Sequence, residues 1–234
     1  MSSDSTSIDR PFLTEQPTHP DGAQFFAKVS SMLDGKPKEP EVVEAALSGW
    51  DSLLEKIAGD LYQIASMLLG EGEETIALLE KTVSSVDVPA CSDHVEARHS
   101  ARLALAAQAI AILEQRNPAS LATPPEESDA SGPAVCIEDD DLSAAGLTPV
   151  EFEQLLVGPD RHRLRQWLES LAPALRAVFV LRAVAALSSA ETAGLLGEHG
   201  GPAAENWTPD AVRSTFRQAL CSLASQLIHA TSAR

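Results

Sequence analysis

From Asp51 onward apolar residues recur at helical spacing, and the gaps between them fall at residues that start or stop helices. Leu53, Leu54, Ile57, Leu61, Ile64, Ala65 and Leu68 give one helix a wide apolar face, with Asp51 placed as its N-cap and Gly70 as its end. A second helix is predicted from Glu73 to about Val86, carried by Ile76, Leu78, Leu79 and Val83, with acids in its first turn that suit the helix dipole. A third begins at Ser92–Asp93, with Glu96 completing a capping pattern, and runs to about Gln115 before Asn117–Pro118 stops it. Thr148 and Glu151 form another capping pair, opening a helix through Leu156. Leu168 to Val184 reads as a buried helix with Pro173 in its first turn. Ser188 and Glu191 cap a short helix expected to stop at Gly197. Thr208–Pro209 opens a last helix whose Val212, Phe216, Ala219, Leu223 and Leu227 make one stripe, with Arg213 and Arg217 together on another face. The pattern predicts an all-α protein.

A buried helix, a short capped helix, a turn and a longer helix with arginines has the build of a helix-turn-helix, whose last helix can enter a DNA major groove. The residues add to this pattern. Leu171–Arg182, Leu187–Gly197, Val212–Ser214 and Ala219 resemble the C-terminal domain of bacterial sigma factors of the extracytoplasmic-function type. That resemblance implies a reader of the upstream promoter element, with Arg213, Ser214, Thr215 and Arg217 as the residues at DNA. Three positions that are basic in the family are here Thr215, Gln218 and Leu220. Glu198 to Trp207 also lengthens the turn ahead of the last helix, and Trp207 is expected to pack back onto the domain.

The N-terminal helices carry a weaker echo of the same family. Asp60–Glu71 resembles the first helix of the domain that binds the polymerase clamp, which implies Glu73, Glu74 and Glu80 as polymerase-facing residues. Where the family melts promoter DNA with aromatic and basic side chains, Ala101 to Leu113 has no aromatic residue, so ordinary helix packing is expected of it.

The net charge of −17 bears directly on DNA binding. Residues 151–234 hold eight acids and eight arginines, so the whole excess of negative charge precedes Glu151. Phosphate neutralisation supplies most non-specific affinity, so DNA binding by the chain alone is expected to be weak and to need core RNA polymerase. The expected organisation is a flexible leader over 1–40, a sigma N-terminal-like helical domain over 41–117, a flexible acidic linker over 118–146 and a C-terminal helix-turn-helix domain over 147–234. Asp139 to Asp141 in that linker lack the spacing of a calcium loop and read as a solvated acidic run.

Cys91, Cys136 and Cys221 have no zinc spacing and read as free thiols. The six histidines form no metal-binding or triad spacing, and there is no glycine-rich phosphate loop, so an enzyme, a metal site and a cofactor are not expected. No membrane span or signal peptide is visible, which gives a cytoplasmic expectation. Two functions follow. One is a sigma-type initiation factor with core RNA polymerase and promoter DNA as partners. The other is a diverged sigma-fold module or regulator that binds proteins, such as polymerase or an anti-sigma factor, and has lost most DNA binding.

Overall fold

Periodic apolar faces separated by caps produce helices wherever the chain is described, and no strand occurs among the described residues. The computed structural model describes residues 57–85, 94–123 and 136–232, without the side chains of 94 and 229–232. The predicted leader, the helix start at Asp51, the cap at Ser92–Asp93 and Cys91 lie outside the described residues. Eight α-helices are described: α1 (57–69), α2 (Glu73–Ser85), α3 (His94–Arg116), α4 (Pro149–Val157), α5 (Arg161–Ser170), α6 (Pro173–Phe179), α7 (Ser189–His199) and α8 (Pro209–Ser232). Ser52–Arg234 forms one compact unit.

In the first three helices the core is built from Leu61, Ile64 and Leu68 of α1, Leu78 and Leu79 of α2, and Leu105, Ala106, Ala109 and Ile110 of α3. The alanines keep α3 slim, so its neighbours approach closely. Gly70, at φ +91°, closes α1 in the left-handed region, and the Thr75 hydroxyl donates to its carbonyl at 2.6 Å. Arginines of α3 tie this layer together. Arg98 and Arg102 both engage Asp60 of α1, and Arg116 donates to the Leu69 carbonyl at 2.9 Å while pairing with Glu74.

Four aromatic rings centre the remaining helices. Phe179 of α6, fully buried, meets Trp167 of α5 edge-on at 4.9 Å, Phe152 of α4 edge-on at 6.1 Å and Phe216 of α8 at 5.9 Å. The predicted helix from Leu168 to Val184 is interrupted: α5 ends at Ser170, Pro173 starts α6, and Val180–Val184 widens into a π-turn. Ala186, at φ +54°, then reverses the chain into Ser188.

The helices of the predicted N-terminal domain pack onto those of the predicted C-terminal one. α3 lies against α7, the Arg102 guanidinium donates to the Ala185 carbonyl at 3.3 Å, and His99 Nε2 lies 2.7 Å from Glu191 Oε1. Stretches expected as linker also carry anchors: Leu121, Ile137 and Ala145 are buried. Leu142–Ala145 forms a 3-10 turn with Asp141 as its cap, and the turn packs on α8. The Ser143 N–H holds the Asp141 carboxyl below the usual carboxylate range.

Candidate nucleic-acid interface

The helix pair foreseen near the C-terminus is built by its caps. Ser188 Oγ accepts from the Glu191 N–H at 3.2 Å and the Glu191 carboxylate accepts from the Ser188 N–H at 2.7 Å, a complete capping box. Those bonds, first from Ser188 and then from His99, hold the Glu191 carboxyl below its ordinary value. α7 does not stop at Gly197 as expected. It continues to His199 and ends at Gly200, where an added Cβ would come within 2.8 Å of the Ala204 Cβ. A glycine inside a helix costs only about 1 kcal/mol against alanine, and packing of Ala193 and the fully buried Leu196 outweighs it here.

The long turn is ordered by its own contacts. Pro202–Ala204 makes a 3-10 turn, and buried Trp207 donates from Nε1 to the Leu121 carbonyl at 2.8 Å. Thr208 then caps α8, accepting from the Ala211 N–H at 3.1 Å. Val212, Phe216, Ala219 and Leu223 turn inward. α7 and α6 both pack on α8, so this helix pair shares a core with the aromatic cluster.

That packing rotates the expected DNA-contacting residues into different settings. Ser214 is exposed and Arg213 and Arg217 are half-buried, whereas Thr215, at 4% exposure, turns to the core. Thr215 lies three residues after Val212 and four before Ala219, which places it beside the apolar stripe and removes it from the outer face. Arg213 pairs with Asp210 one turn earlier, and Arg217 Nη1 donates to the Glu138 carbonyl at 3.1 Å. Arg182 also belongs to this side. Its guanidinium lies 5.3 Å from the Phe216 ring centroid, donates to the Leu187 carbonyl at 2.7 Å and reaches Asp140 at 3.4 Å.

Comparison with protein-family models, curated proteins and solved structures yields no match.

The acidic stretch Glu138–Asp141 meets Arg217 through the Glu138 carbonyl and Arg182 through Asp140, contacts for which opposite charge was the only sign in the sequence. The expected polymerase-facing acids lie on α2. Glu73 and Glu74 are exposed, Glu74 is paired with Arg116, and Glu80 is half-buried. Glu73 and Glu80 stand seven residues apart, which aligns them on one face. Arg161, Arg163 and Arg165 cluster in the first turns of α5, where Arg163 pairs with Asp160 at 3.5 Å and Arg165 reaches Glu71. Among the described residues no His, Cys, Asp and Glu cluster could hold a metal ion, and no helix is long and apolar enough to cross a membrane.

Proposed function

We propose that this chain is a diverged sigma-type protein of transcription initiation, acting in the cytoplasm, which engages core RNA polymerase and presents α8 to promoter DNA. Arg213, Ser214 and Arg217 make the DNA contacts, and Glu73, Glu74 and Glu80 face the polymerase. The resemblance of Leu171–Arg182, Leu187–Gly197 and Val212–Ser214 to the promoter-reading domain supports this reading, and one observation carries it: a capped α7 packed against α8 on a common core, with two arginines one turn apart on a face that core leaves outward. The acidity of the chain makes polymerase the necessary source of phosphate-binding charge.

A pull-down with core RNA polymerase followed by a promoter footprint tests the two halves separately. The expected result is polymerase binding plus an upstream footprint that disappears in Arg213→Ala/Arg217→Ala while polymerase binding stays. Absence of both polymerase binding and initiation refutes the proposal.

A second reading draws on a different observation. Arg213 is paired with Asp210 and Arg217 with the Glu138 carbonyl, so the outer face of α8 carries little free positive charge. On this reading the fold binds a protein, polymerase or a regulator such as an anti-sigma factor, without DNA. A protein partner with no footprint in the ternary mixture selects it.

A further inference from the structure

The run of acids from Glu138 to Asp141 is seated on the C-terminal helices by contacts spread along its length. Buried Ile137 anchors one end. The Glu138 carbonyl accepts from Arg217 Nη1 at 3.1 Å, and Asp140 reaches Arg182, whose guanidinium lies 5.3 Å from the Phe216 ring centroid of α8. At the other end Asp141 caps the 3-10 turn Leu142–Ala145, which packs on α8, and Leu147 is buried beyond it. Apolar burial on both sides thus fixes the backbone of the run. The Glu138 and Asp139 side chains are exposed and carry no ion pair among the described residues. Two uncompensated carboxylates are therefore held next to Arg217, which shares one side of α8 with Arg213 and exposed Ser214.

We propose that residues 137–141 are an autoinhibitory strap, which occupies Arg217 and sets Glu138 and Asp139 against incoming DNA phosphates until it is lifted from α8. This role rests on α8 being the helix that contacts DNA. Two effects act in the same direction. A guanidinium that donates to a carbonyl has to give up that bond before it serves a phosphate. A carboxylate fixed beside it repels the phosphate over a Debye length, about 10 Å at about 0.1 M salt. DNA then binds only the fraction of chains whose strap is lifted, and the apparent affinity falls by that fraction. Residues 151–234 balance eight acids against eight arginines, so the acids that suppress binding at this face come from outside that balance.

Full-length chain is titrated into a fluorescein-labelled, mixed-sequence DNA duplex and followed by anisotropy over a range of salt. Ile137→Ser/Asp140→Ala removes two side-chain anchors of the strap. It is expected to bind about tenfold more tightly than the parent at about 0.1 M salt, with a salt slope steeper by about one, the gain from one recovered phosphate contact. Glu138→Gln/Asp139→Asn keeps those anchors and the Arg217 bond, so it reads the repulsion by itself even if the first variant loses native helicity by circular dichroism. A gain of about threefold is expected of it. Glu153→Gln/Glu169→Gln changes the net charge equally, on α4 and α5, and is expected to stay within about twofold of the parent. Adding Arg213→Ala/Arg217→Ala to the first variant is expected to abolish its gain. Parent-like affinity in either strap variant that keeps native helicity, with binding still lost in Arg213→Ala/Arg217→Ala, overturns the strap and leaves α8 as the DNA helix. A gain of equal size from Glu153→Gln/Glu169→Gln also overturns it. Binding that survives Arg213→Ala/Arg217→Ala, or that is absent from every variant with and without core RNA polymerase, removes the DNA reading and the strap with it.

Discussion

Phe179 is the residue whose removal most directly tests the packing argument. It is fully buried at the end of α6, and its ring meets Trp167, Phe152 and Phe216, each from a different helix. Replacing a buried phenylalanine with alanine costs about 3–5 kcal/mol, from lost transfer energy plus the cavity left behind. Each aromatic pair contributes about 0.5–1.5 kcal/mol beyond burial, though pairs around one ring are not additive. Phe179→Ala is therefore expected near the upper end, about 4–5 kcal/mol. In a unit the size of Ser52–Arg234, each kcal/mol shifts Tm by about 2–4 °C, so a fall of about 8–20 °C is expected. Urea unfolding followed by circular dichroism and tryptophan fluorescence measures it, and the m-value should stay constant. Phe179→Leu keeps most of the volume and should cost less than half as much, which leaves a measurable variant if alanine prevents folding. A loss under about 1 kcal/mol for Phe179→Ala, with the protein still cooperative, would refute the view that this ring joins four helices.

Further outcomes follow from single contacts. Ser188→Ala removes half of the α7 capping box and is expected to cost about 1 kcal/mol at neutral pH by urea titration. The Glu191 carboxyl is held below its unfolded value, so its contribution is full above about pH 4.3 and is lost as the pH falls through the folded value. Ser188→Ala should flatten that acid limb of the stability curve, and an unchanged limb would show that the cap does not set it. Trp207→Phe strips the buried donor from the Leu121 carbonyl and should destabilise by about 1–3 kcal/mol. A neutral result in thermal unfolding would mean that the long turn is not anchored there.

Helix starts were legible in the sequence because the atoms that make them lie within four residues of each other. Thr148 with Glu151, Ser188 with Glu191, Pro173 and the glycine after Leu69 all act as their neighbours alone dictate. The end of α7 was not legible, because Gly197 is a breaker only when nothing packs around it, and the fully buried Leu196 is packed. The inward face of α8 followed from its apolar period, but the setting of Thr215 depended on how wide that face became against α6 and α7.

Local chemistry thus determined which segments of this chain are helices and where most of them begin. Tertiary structure alone decided that α3 rests on α7, that Leu121 receives Trp207, and that Glu138 meets Arg217. Capping bonds join neighbours in sequence and leave a local pattern, whereas these contacts join residues about eighty or more apart, where a loop, an arginine or a tryptophan looks the same with or without its partner.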